Sequence, residues 1–341
     1  MEDKDIFETQ WEQELPPENE MKQIRRSIRK RNWRIIAISV ILAAALVWSC
    51  VSIIIPSAEK TYWDPFDCTV SEGMRDLELV LSAYTELFQP GWEVSSVYTG
   101  KTGFASYELN IIRYDLARSE FSYMTGTLTK NQLGWDSRFT NQGVALNHFD
   151  RATYPFYAMF DDQKQAVVEK LKELPEYVTV EAAVSFSSDL DMDQLLLLRE
   201  EFDLPITWVG IRNAPLDEQR TPLCGMDAFS GGWIDFGVNE KYPQFCLDTS
   251  ANPDFAHAAS DLEQHFKSLL QFSSDQLEAG RGARVYGGDR NYYAEVLRYV
   301  EENGVMSYGC IAFTSPQKLL SLLEDERVSQ IMLLDAWIDL N

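Results

Sequence analysis

His257, Asp261 and His265 recur at every fourth position, and on a helix that spacing stacks three side chains able to ligate zinc on one face. A solvated helix with i,i+4 Asp and His pairs has the same pattern, and that plainer reading is adopted; no metal and no cofactor are expected. The chain has three histidines, the third being His148 in an aromatic stretch, so no Ser/His/Asp arrangement can be assembled from sequence. Gly100-Lys101-Thr102 matches the end of a phosphate-binding loop, but Ser95 stands where that loop needs its first glycine, and the stretch reads as a hairpin turn. The GxSxG, HExxH and GxGxxG signatures are absent. Acidic clusters at Asp161-Asp162 and Asp189 to Asp193 fall where helices should begin, and capping accounts for them without paired-carboxylate catalysis. The chain is therefore not expected to be an enzyme.

Five cysteines are present, of which Cys50 falls inside an apolar run. Cys68, Cys224, Cys246 and Cys310 allow three pairings, and buried thiols are an equal reading. Cys224 with Cys246, flanking one loop-rich stretch, is the candidate bridge.

Charge then separates the chain into parts. Residues 1–34 hold eight acidic and eight basic side chains, so the net charge of −23 lies entirely beyond them, 45 acids against 22 bases. A domain of that sign is repelled by phosphate backbones, which argues against direct nucleic-acid binding. Ile35 to Ile55 is a 21-residue run without a formal charge, long enough to cross a bilayer. It is preceded by Arg25, Arg26, Arg29, Lys30, Arg31 and Arg34 and followed closely only by Lys60, a bias that places the N-terminus in the cytoplasm. The run is too long for the apolar core of a cleaved signal peptide, and Pro56 occupies a position where a cleavage site needs a small residue. The expected location is thus the cell membrane, crossed once, with the C-terminal domain extracytoplasmic.

The expected organisation is a cytoplasmic segment (1–34), a transmembrane helix (35–55), a first extracytoplasmic α+β region (56–160) and a C-terminal domain (161–341). In the first segment Phe7, Trp11 and Leu15 share one helical face, stopped by Pro16-Pro17, and could dock in a partner's groove; a disordered tail is the competing reading. Glu72 to Phe88 reads as an amphipathic helix closed by Pro90-Gly91, and Trp92 to Leu133 as β-rich. Helices at 162–174, 191–202, 253–272, 291–303 and 316–326 alternate with strands at 177–186, 206–211, 307–313 and 330–338. The class is α+β, a single N-terminal transmembrane helix followed by an extracytoplasmic mixed-sheet domain with packed helices.

Ala183-Val184-Ser185-Phe186, the Leu-rich helix after it, Thr207-Trp208-Val209-Gly210-Ile211 and the helix carrying His265-Phe266 resemble the sigma factor regulator C-terminal domain. The basic stretch and anchor resemble the N-terminal region of the same family, membrane-bound anti-sigma factors of Gram-positive bacteria. The resemblance implies that the cytoplasmic end restrains an extracytoplasmic-function sigma factor while the outer domain senses the envelope or contacts a second membrane protein. Phe7, Trp11 and Leu15 as contact residues are a reading of the spacing, not of the family. The cytoplasmic segment lacks the zinc-binding His/Cys cluster of the commonest anti-sigma design, and its shortness leaves room for a helper protein. The alternative is an anchored extracytoplasmic enzyme or ligand-binding module acting on cell-envelope components; its support is the size of the outer domain and the aromatic stretches 149–160 and 229–236.

Overall fold

The structure, a computed structural model, describes residues 18–71, 73–135, 161–215, 223–227, 240–247, 258–281 and 291–338. Phe7, Trp11, Leu15, His148 and His257 lie outside the described residues, as do the aromatic stretches 149–160 and 229–236. The chain divides into two units, 1–61 and 62–341.

In the first unit α1 (Glu18–Ser49) runs through a wide turn at Cys50–Ile54 into α2 (Ile55–Glu59). Together they make a helix of 42 residues whose apolar window has no buried residue, long and apolar enough to cross a membrane. Pro56 explains the wide turn. It has no N–H to give, and its ring would collide with the carbonyl four residues back, so the chain opens one turn to pass it. The six basic residues from Arg25 to Arg34 all lie exposed on α1.

The second unit begins with α3 (Asp76–Phe88), followed by four strands, β1 (Trp92–Gly103), β2 (Ser106–Asp115), β3 (Glu120–Thr129) and β4 (Gln132–Trp135). These form an antiparallel meander in chain order, one face of which packs on α3. Gly100-Lys101-Thr102 runs along the end of β1 into the hairpin, so no phosphate loop exists there. Sequence spacing makes α3 amphipathic, but the fold buries it nearly all round. Leu77, Leu79, Leu81 and Leu87 are each at most 1% exposed, and full burial of such a side chain contributes about 1.5–3 kcal/mol. A helix buried on all sides is a central strut and not a surface element.

The remaining elements are α4 (Asp161–Glu173), β5 (Val178–Leu190), α5 (Met192–Phe202), β6 (Ile206–Ile211), β7 (Cys224–Met226), α6 (Ala259–Glu278), α7 (Tyr292–Asn303), β8 (Ser307–Thr314), α8 (Pro316–Leu322) and β9 (Val328–Ile338). The α+β class is as expected. Every described strand pairing is antiparallel, however, where a mixed sheet was expected. Helix α5 does carry the chain from β5 to a strand running the same way, but β8 inserts between β5 and β6, giving the order β7-β6-β8-β5-β9. Asp191 starts α5 with a capping box, its carboxylate accepting from Gln194 N while the Gln194 side chain accepts from the Asp191 N–H.

Alternation, with a register shift at Tyr308, splits the five-stranded sheet into two packed faces. Val180, Ala182, Val184, Val209 and Cys310 join the main core, while Ala183, Trp208, Tyr308 and Ile311 form a smaller cluster on the other side. Gly225 permits that second packing, since a Cβ there would stand 2.3 Å from the Trp208 indole and 2.1 Å from the Val209 carbonyl.

Candidate functional site

The residues that enter the second unit are held at several points. Trp63 is 4% exposed, and its backbone N–H donates to Asn131 Oδ1 at 2.5 Å. Asn131 can present that oxygen because it and Lys130 both hold positive φ in the tight β3–β4 turn, a conformation that asparagine tolerates better than most residues. Tyr62 stands edge-on to Phe104, 5.8 Å between ring centroids, and Phe66 edge-on to Tyr107 at 6.4 Å.

Asp76 closes this entry segment. Its carboxylate is fully buried and turns back from the start of α3, accepting from the Thr69 and Val70 N–H groups at 2.8 and 3.1 Å and from the Thr69 hydroxyl. The helix begins at Asp76, four residues later than the sequence suggests, with Arg75 as N-cap and residues 69 and 70 folded back onto the Asp76 carboxylate. Arg281, just past the end of α6, donates to Asp76 Oδ2 at 2.9 Å and to the Thr69 hydroxyl at 3.0 Å, and lies 3.6 Å from Asp67. Burial raises the Asp67 carboxyl above its ordinary value, with the Arg281 charge opposing and Asp64 and Asp76 adding to the rise.

The other end of α3 carries a second ionic link. The Trp208 indole N–H donates to the Glu86 carbonyl at 2.8 Å. The Glu86 carboxylate meets His265 Nε2, and His265 Nδ1 bonds the Gln244 carbonyl at 2.8 Å. Burial by itself lowers a histidine; here the Glu86 charge and hydrogen bond, with the Gln244 carbonyl, outweigh it and leave His265 raised. His265 is thus a buried ion-pair partner and not a member of the solvated face expected from its spacing. Both ring nitrogens are occupied, which takes it out of any ligand set with Asp261, and among the described residues no group of three His, Cys, Asp or Glu side chains could hold a metal ion.

A third link, the ion pair of Arg118 with Asp335, sits on the five-stranded sheet, where Asp335 of β9 stands opposite Glu181. Glu181 of β5 is pushed up to about 7, chiefly by burial and next by the Asp115 charge, against the opposing pull of Arg118. Asp115 holds the β2–β3 turn by accepting from the Ala117 and Arg118 N–H groups, both at 3.0 Å. Arg118 pairs with Asp335 and lies over the Trp337 ring, 5.0 Å from its centroid.

The candidate bridge between Cys224 and Cys246 is not made. Cys224 is a buried free thiol hydrogen-bonded with Tyr292 and Asn213, and burial pushes it up to about 12. Its place on β7, paired to β6, commits that side chain to the core. A cavity of about 10 Å³ lies between α3, α6 and α7, lined by Tyr84, Gln276 and Tyr293 among others. That volume holds at most one water.

Residues 171–333 match the model of the sigma factor regulator C-terminal family. The chain carries a sigma factor regulator C-terminal domain. The match supports the sigma factor regulator family, whose members are regulators and not catalysts. No curated protein and no solved structure matches the chain. The regulator domain supplies one partner of the first two ionic links, Arg281 and His265, and Asp335, just past the matched residues, supplies one partner of the third. The other partners, Asp76, Glu86 and Arg118, come from the part that precedes it. Sequence reading missed all three links, because Asp76 and Arg281 are 205 residues apart and Glu86 and His265 are 179 apart.

Proposed function

We propose that this sigma factor regulator is a single-pass membrane anti-sigma factor whose outer unit controls its cytoplasmic segment. In this reading residues 1–34 restrain an extracytoplasmic-function sigma factor, with Phe7, Trp11 and Leu15 in the contact and a second membrane protein as helper. Residues 35–55 cross the cell membrane, and 56–160 together with 161–341 stand outside and sense the envelope. The observation that carries it is the regulator domain at 171–333 in a chain that also has one exposed apolar helix behind a basic stretch. The three ionic links give the outer unit a physical route. A signal that binds better to the state with a link open pulls on the entry segment, and only such differential binding shifts the balance between states.

The test is capture of a sigma factor by the full chain in membranes of its own cell. The expected result is one extracytoplasmic-function sigma factor, its retention cut about tenfold by Trp11→Ala, a typical loss for a buried aromatic anchor. Failure of the full chain to retain any sigma factor would overturn the proposal. Orientation is read separately: an impermeant amine reagent should reach Lys267 and Lys318 in intact cells and miss Lys22.

A further inference from the structure

The four-stranded sheet has one face packed on α3 and one face open. Antiparallel sheets of that kind normally present polar side chains to water on the open face. Glu108, Asn110, Thr125 and Thr127 do so here, but toward the β2–β3 turn the same face presents aromatics. Register places Tyr114 opposite Phe121 and Ile112 opposite Tyr123, all pointing away from Leu109 and Ile111 in the core, with Tyr98 two strand positions along. Tyr123 is 79% exposed, Tyr98 61% and Phe121 51%. The Tyr114 and Phe121 rings lie 5.3 Å apart and Tyr123 follows Phe121 on the same face, so these three are not scattered singly.

Charge selects what this surface can receive. The charged residues at its outward positions on the paired strands, Glu93 and Glu108, are both acidic, and the chain beyond residue 34 carries 45 acids against 22 bases. Phosphate-bearing or anionic-lipid partners are repelled. Lysine or arginine side chains are attracted twice, by the carboxylates and by the faces of the tyrosine rings. Apolar side chains find Ile112, Phe121 and Tyr123.

We infer that the open face of the four-stranded sheet binds a cationic peptide segment bearing apolar side chains. The site lies apart from the first two ionic links, borders the β2–β3 turn that carries the third, and does not depend on the sigma factor reading.

The test uses the full chain in zwitterionic phosphatidylcholine nanodiscs, with a fluorescein-labelled synthetic lysine/leucine peptide followed by anisotropy and empty nanodiscs as the blank. Saturable binding is expected, weakened about tenfold by Tyr123→Ser or Phe121→Ser and severalfold by Glu108→Lys, and weakened by added salt. These side chains are exposed, so the variants should keep the parent melting temperature; Tyr98→Ser replaces any that does not. The inference is overturned if the peptide fails to bind or if the serine variants bind as the parent does, since general charge attraction would then suffice. Equal binding of a glutamate/leucine peptide, binding of neutral cell-wall oligosaccharide in place of the peptide, or self-association through this face would overturn it as well.

Discussion

Glu181→Gln should change how the stability of the second unit depends on pH. The Glu181 carboxyl is raised from 4.5 to about 7 in the folded chain. Between those values the folded state holds a proton that the unfolded state has released, so stability is fully present below about pH 4.5 and is lost as pH rises toward 7. Each pH unit in that window is worth about 1.4 kcal/mol at most. From pH 5 to pH 7 the ceiling is about 3 kcal/mol, and partial exposure of Glu181 with solvent screening brings the expected loss nearer 1–2 kcal/mol. Glutamine has no proton to lose, so the variant should lack this part of the slope. His265, also raised, loses its contribution at higher pH in both chains and cancels in the difference. The assay is urea unfolding of the full chain in detergent micelles from pH 5 to pH 8, followed by tryptophan fluorescence. Equal slopes for parent and variant, or a parent that gains stability over the variant as pH rises, would refute the argument from burial and Asp115.

Asp76→Ala leaves the Arg281 guanidinium and two loop N–H groups without their acceptor, at a cost of about 3 kcal/mol, because Arg281 retains some contact with solvent. A double-mutant cycle with Arg281→Ala should show coupling of about 1–3 kcal/mol in thermal melts; additive losses would mean the two act independently. Thiol labelling of the native chain should modify exposed Cys68 and spare Cys224 and Cys310, both buried and pushed up to about 12, until denaturant is added. Rapid native labelling of Cys224 would contradict its place in the core.

Local chemistry wrote much of the fold into the residues. β6 (Ile206–Ile211) is where alternation and apolarity put it, and α5 starts where Asp191 and Gln194 can cap each other. The regulator domain was legible too, since its signature is a set of apolar patterns along contiguous elements. The start of α3 was misplaced because residues 69 and 70 fold back onto the Asp76 carboxylate, and the Arg281 that completes that arrangement is 205 residues away. The Cys224–Cys246 candidate failed for a related reason. Loop proximity in sequence carries no information about which way a strand residue points, and pairing to β6 turned Cys224 inward.

The sequence by itself determined the apolar helix, its basic flank, the sign of the folded unit and nearly every strand and helix, because periodicity, capping and charge act within a few residues. Only the tertiary structure decided that β8 separates β5 from β6, that α3 is a strut buried nearly all round, and that Asp76, Glu86 and Arg118 meet Arg281, His265 and Asp335. Such pairings are set by packing between segments far apart along the chain, where no local preference reaches.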